Sequence, residues 1–174
     1  MEIYQMINSE KLGSVLAQYK QSFVSMQWGN EKYKWEAVKW FQDNWDVNAP
    51  DFPEMLDRSL DKTINLLLSY NNFPRAMIVG FAKAAPEEVR AMFIALFDES
   101  KDVFERMEAF KLQSSIMLEK YGGSAAQHYQ YENSISTYLW LRYPDKYYIY
   151  KLSEIKNVAK VLQVDYRFKK RRLR

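Results

Sequence analysis

The chain is 174 residues long, enough for one domain with a sizeable buried core. Hydrophobic residues make up 48% and charged residues 27%, a globular balance that excludes a wholly disordered chain. No run nears the ~20 apolar residues of a membrane span, and the six basic and one acidic residues of Asp165–Arg174 put +5 of the +3 net charge in one place, leaving −2 elsewhere.

In chain order, Met1–Asn8 lacks a basic segment followed by an apolar one, so no secretory leader is expected. Asn8-Ser9-Glu10 reads as a helix start, with Leu12, Val15, Leu16, Tyr19 and Phe23 on one face. Gly13 inside it costs about 1 kcal/mol relative to alanine, and Gly29-Asn30 is expected to end it. A second helix is predicted over 31–45, with Tyr33, Ala37, Val38, Phe41 and Trp45 as its core stripe and Trp35 and Trp40 off it. Such a helix is either wedged between neighbours or offers a surface to a partner.

Asn48-Ala49-Pro50-Asp51 breaks the pattern. Asp51 then caps a helix with Pro53 in its first turn. Phe52, Met55, Leu56, Leu60, Ile64, Leu67 and Leu68 carry its stripe to about Tyr70, and Asn71-Asn72 ends it. Pro74 begins a short helix through Met77, Ile78 and Phe81. Pro86-Glu87-Glu88 opens the next, its acids at the positive end of the helix dipole, with Val89, Met92, Phe93, Leu96 and Phe97 inward. Ser100 is expected to cap a longer helix through Val103, Phe104, Met107, Phe110, Ile116 and Met117, which Gly122-Gly123 terminates by the left-handed route open to glycine. The connection 122–130 reads as the most flexible in the chain.

The stretch Tyr131–Lys151 holds six of the thirteen tyrosines. Ile135, Tyr138, Leu139 and Arg142 follow helical spacing, with Asn133 or Ser134 as cap and Arg142 in the last turn. Pro144 pushes Tyr143 out of the helical region, and Pro144-Asp145-Lys146 makes a turn. Tyr147–Tyr150 is a short extended rung, too alike on its two faces to orient, expected to pack between the flanking helices. Ser153 caps a last helix with Ile155, Val158, Ala159 and Leu162 as its stripe. The rings serve either core and boundary packing or a stacking platform, for which Trp140, Tyr143, Tyr147 and Tyr148 are the candidate surface. The fold class is all-α: one globular domain of seven or eight helices over 1–164, with one short extended aromatic segment, followed by a basic tail or linker over 165–174.

Catalytic chemistry finds little foothold. None of the five glycines begins G-x-x-x-x-G-K-[ST], so there is no P-loop. The absence of cysteine removes disulfides and thiol nucleophiles and suits a reducing cytoplasm, the expected location. No serine stands in a G-x-S-x-G elbow. The lone histidine, His128, reads as an exposed loop residue rather than a metal ligand. Glu99-Ser100-Lys101 spells the acid-x-lysine of a metal-dependent nuclease but lies at a helix junction, and Asp145 has no such partner nearby. Glu87-Glu88 is explained by helix electrostatics. No catalytic residue, metal ligand or cofactor is therefore assigned. A hydrolase with an unusual site near Glu99 or Asp145 is the weakest alternative. The one concentrated charge is Arg167, Lys169, Lys170, Arg171, Arg172 and Arg174, which is either a phosphate-contacting arm or a linker of incidental charge.

Tyr138-Leu-Trp-Leu-Arg-Tyr-Pro-Asp-Lys-Tyr-Tyr-Ile-Tyr-Lys151 resembles a segment of the N-terminal regions of bacterial AAA-family ATPases related to McrB, the motor of 5-methylcytosine-specific restriction. Glu87–Phe93 with Phe97–Ser100, and Trp40–Trp45 with Asp51–Leu56, are similar to the same proteins, so the resemblance spans most of 30–162. Its motifs concern packing and turns. It implies a non-catalytic helical module that serves DNA targeting or scaffolds adjacent modules, with DNA, restriction-system subunits or downstream domains as partners and no membrane. The alternative is a free-standing nucleic-acid-binding protein using the basic tail and the aromatic surface.

Overall fold

The computed structural model describes residues 8–67 and 72–164 and is all-α, with no β-strand among those residues. Its elements are α1 (Ser9–Ser22), a π-helical segment (Phe23–Gln27), α2 (Trp28–Asn44), α3 (Phe52–Ser59), a 3-10 turn (Asp61–Thr63), α4 (Ile64–Leu67), α5 (Pro74–Ala84), α6 (Pro86–Leu96), α7 (Val103–Tyr121), α8 (Glu132–Arg142) and α9 (Leu152–Val161). Packing groups them into two units. One is Lys32–Tyr150; the other comprises the described residues of Met1–Glu31 and Lys151–Arg174.

Within Lys32–Tyr150, α5 packs on α3 and α6, α6 on α7, and α8 against α4 and α7. The core is a cluster of rings. Phe93 stands at its centre, 5.2 Å from Trp45, 5.3 Å from both Phe110 and Tyr138, 5.7 Å from Phe97 and 6.4 Å from Phe52. Tilted and edge-on approaches of this kind add to the area that the rings bury. Ala37, Val38 and Phe41 of α2 face the core with Tyr33 and Trp45 partly buried, and Trp35 lies off that stripe, as the periodicity predicts. Trp40 is half-buried and spends its indole N–H on Arg58 O at 2.7 Å.

Caps and breaks follow local chemistry, with corrections. Asn8 and Asp51 each accept a backbone N–H three residues on. α7, however, is capped by Asp102, whose Oδ1 accepts from the N–H groups of Phe104 and Glu105, and not by Ser100, whose hydroxyl donates to Asp98. Asp102→Ala is thus expected to cost about 1 kcal/mol, read as a lower urea midpoint, with a smaller change for Ser100→Ala. α9 begins at Leu152 after Lys151, so Ser153 is not its cap. For α8 the cap position is Tyr131. Ser134 lies inside the first turn and its Oγ accepts the Tyr131 N–H at 3.0 Å. Gly122 ends α7 and Gly123 takes φ +57°, while a Cβ at Gly122 would lie 2.5 Å from Leu118 O.

Three predicted elements differ in extent. Gly29-Asn30 does not end the first helix; α1, the π segment and α2 follow one another with no non-helical residue between them. The helix expected from Asp51 is interrupted, since α3 stops at Ser59 and a 3-10 turn follows; its expected end at Leu68, Tyr70 and Asn71 lies outside the described residues. Ser59 Oγ donates to Met55 O and Thr63 Oγ1 to Leu60 O, a bonding pattern that bends helices. The tighter turn buries Leu60, Thr63, Leu66 and Leu67 and turns Ile64 outward. On α7, Phe104 is exposed rather than part of the core stripe.

Candidate functional site

α8 and the turn after it carry the candidate site. α8 has no outward face through most of its length, because every residue from Ser134 to Leu141 is buried. A helix buried all round needs its polar residues satisfied internally. Ser136 and Thr137 both donate back to Asn133 O, and Tyr138 donates to Gln130 Oε1. Burial pushes the Tyr138 hydroxyl far above its ordinary range.

After Arg142 the chain turns at Pro144, as expected, and Tyr147–Tyr150, expected as a short extended rung, has no regular secondary structure. This rung does have an orientation. Tyr147 and Ile149 pack on the core, while Tyr148 and Tyr150 face out, and the Tyr150 N–H donates to Ser136 Oγ. Tyr143 donates to Phe97 O at 3.0 Å and sets its ring edge-on to Phe97. Tyr147 accepts from Arg106 Nη2 and donates to Glu99 Oε1, each at 2.6 Å.

Arg106 anchors this network. Its side chain is only 3% exposed, yet its guanidinium reaches Leu96 O at 2.6 Å and Glu99 Oε1 at 3.0 Å. Lys146 bonds the second oxygen of Glu99. Partial burial works to raise the Glu99 carboxyl, but hydrogen bonds from Lys146 and Tyr147 and the charges of Lys146 and Arg106 hold it below its ordinary value. Its bond to Glu99 in turn raises Lys146. Apart from Arg106 Nε, which is buried without a partner, the polar groups here bond one another, which makes the cluster a clasp between the α6–α7 junction and the turn. Lys101, the other half of the nuclease-like spelling, pairs with Asp98 instead of joining Glu99.

Of the four proposed surface aromatics, Trp140 is corrected. It is 6% exposed and packs its ring 5.8 Å from Trp35. Tyr143 and Tyr147 are half-buried clasp members, and Tyr148, at 80% exposure, is the one that offers an open ring. Arg167, Lys169, Lys170, Arg171, Arg172 and Arg174 lie outside the described residues. Among those residues no three His, Asp or Glu side chains are grouped to hold a metal ion, and no helix is long and apolar enough to cross a membrane.

Two features escaped sequence reasoning. His128 is not an exposed loop residue; it is 6% exposed, in a 122–130 connection tied down by the wholly buried Gln130. Its surroundings are polar residues that carry no periodic signal. The second is the unit containing α1. None of the residues from Ser9 to Glu31 is buried, and Leu16, Tyr19, Val24, Met26 and Trp28 are all exposed. α9 likewise exposes Leu152, Val158 and Val161.

No family model, curated protein or solved structure matches the chain.

Proposed function

We propose that the chain is a non-catalytic helical docking module, of the kind that its resemblance to McrB-related restriction ATPases implies. It would scaffold the DNA-targeting modules or subunits of a cytoplasmic defence system. The observation that carries this is the set of apolar side chains that α1 and the π segment leave in water: Leu16 and Tyr19, with Val24 and Met26 80% and 70% exposed on opposite sides of the helix. An amphipathic helix gains most of its stability by burying its apolar face against something else. A contiguous stretch that keeps such residues in water marks an interaction surface. The π-helical segment fits as well, since π turns cost regular hydrogen bonding and recur at functional positions.

The test is co-purification of the chain with a P-loop ATPase encoded in the same operon, using wild type and a Val24→Asp/Met26→Asp variant. Burying two such side chains is worth about 3 kcal/mol or more, so the variant should lose over tenfold of the retained partner. Its thermal midpoint should stay within about 1–2 °C of wild type, because both positions are on the surface. Equal retention by the variant, or no retention by wild type, refutes the docking role.

Tyr148 favours a second reading, nucleic-acid binding. Its open ring follows Arg142 and Lys146 in the chain, and base stacking on one ring is worth about 1–3 kcal/mol. Tyr148→Ala and deletion of residues 165–174 should each weaken salt-dependent binding of a fluorescent single strand by about tenfold or more. Unchanged binding in both variants excludes this reading.

A further inference from the structure

We propose that the loop joining α7 to α8 is a proton-operated latch: neutral His128 holds Tyr129 in a left-handed turn by accepting the Gln130 N–H, and protonation of that imidazole frees the loop from α5.

His128 Nδ1 accepts the Gln130 N–H at 2.9 Å, so Nδ1 carries no proton and the ring is the Nε2–H tautomer. An imidazolium has a donor at both nitrogens and cannot make this bond. Protonation would leave the buried Gln130 N–H facing another N–H. Between the two residues, Tyr129 sits at φ +58°, a conformation that costs a non-glycine residue roughly 1–2 kcal/mol. The turn therefore persists only while its neighbours hold it.

What the turn holds is specific. Gln130 donates to Pro74 O, the first residue of α5, at 2.8 Å and to His128 O at 3.2 Å, and accepts from the buried Tyr138 hydroxyl at 2.9 Å. Tyr129 sets its ring edge-on to Phe73, 5.8 Å away. Releasing the turn would undo the loop's attachment to both α5 and α8.

The surroundings oppose protonation while the latch is shut. Burial lowers the His128 imidazole below its ordinary value, and the charge of Lys111 on α7 lowers it further. That lysine is paired with Glu108 on its own helix and with Glu132 at the start of α8, and the Tyr131 ring covers the imidazole at 4.8 Å. A group whose folded value is depressed contributes stability above its unfolded value, and that stability declines as pH falls below about 6.5. Local opening of the loop is a cheaper route to proton uptake than global unfolding, because only this segment must move.

The test is amide hydrogen exchange on the full chain from about pH 7.5 to about pH 5, corrected for intrinsic rates, with the amides of α8 as reference. Wild-type protection at residues 124–131 should be lost relative to α8 as pH falls, because the imidazole takes up a proton more readily in the open loop than in the shut one. In His128→Asn the amide oxygen replaces Nδ1 as acceptor without titrating, so protection should stay level. Proton NMR of the wild-type imidazole gives a second measure that needs no variant: its titration midpoint should coincide with the loss of protection. A level wild-type profile, a His128→Asn profile that falls as wild type does, or a histidine midpoint detached from loop opening each overturns the latch.

Discussion

Phe93→Ala is expected to lower the unfolding free energy by about 4 kcal/mol. The change should show in urea as a lower midpoint with an unaltered slope. Phe93 is wholly buried and touches rings from five places in the sequence: Trp45, Phe52, Phe97, Phe110 and Tyr138. Removing its ring deletes the transfer gain of one phenyl group and leaves a cavity that five stiff neighbours cannot easily close. Domains have only about 5–15 kcal/mol in total, so the variant should sit near the edge of folding at 37 °C. Ile94, the next residue, is 53% exposed, and Ile94→Ala should change stability by no more than about 0.5 kcal/mol. If the two substitutions cost the same, the ring cluster is not what holds this unit together.

How far the sequence could be read depended on whether a helix had one wet side. α6 has one, so Val89, Met92, Phe93 and Leu96 could be picked out by spacing, and they are buried. α8 has none between Ser134 and Leu141, and there the period carries no information. From spacing Trp140 therefore reads as a surface ring, and it is buried. The break between α3 and α4 was hidden for another reason. A 3-10 turn changes the phase of a stripe without needing glycine or proline, so Leu60-x-x-Thr63-x-x-Leu66 could not be told from a continued α-helix. Arg106 depends on contacts across as many as 41 residues of sequence, and His128 on a local turn with Gln130 and Tyr131 that no motif announces. The exposed face of α1 was visible as a stripe, but spacing alone cannot say whether a stripe is covered. The proposed docking role starts from those uncovered apolar residues.

Glu99→Gln should be the most damaging polar substitution, at about 3 kcal/mol, because it strands the charge of Arg106 in a nearly dry site. Arg106 uses Nη1 and Nη2 on Leu96 O, Tyr147 and Glu99 while its Nε stays unpartnered, and Glu99 is the one carboxylate within 4 Å of it among the described residues. A neutral amide at position 99 keeps the shape and loses the countercharge. The opposite truncation is cheaper. In Arg106→Met, Glu99 keeps Lys146 and Tyr147, and its side chain is 29% exposed, so water compensates for part of the loss. The pair should therefore show a sign reversal: Arg106→Met introduced into the Glu99→Gln background should restore stability rather than reduce it further, as replacing a buried ion pair with apolar groups often does. The pH dependence carries the same signature. Because the carboxyl is held below its ordinary value near 4.5, the clasp contributes fully above that pH and weakens as pH falls through the lower, folded-state value. Urea midpoints collected from pH 7 down to about pH 3 should fall more steeply for wild type than for Glu99→Gln, which has no carboxyl to protonate. Parallel profiles, or a double variant weaker than both singles, would show that Arg106 is neutralised by some other group.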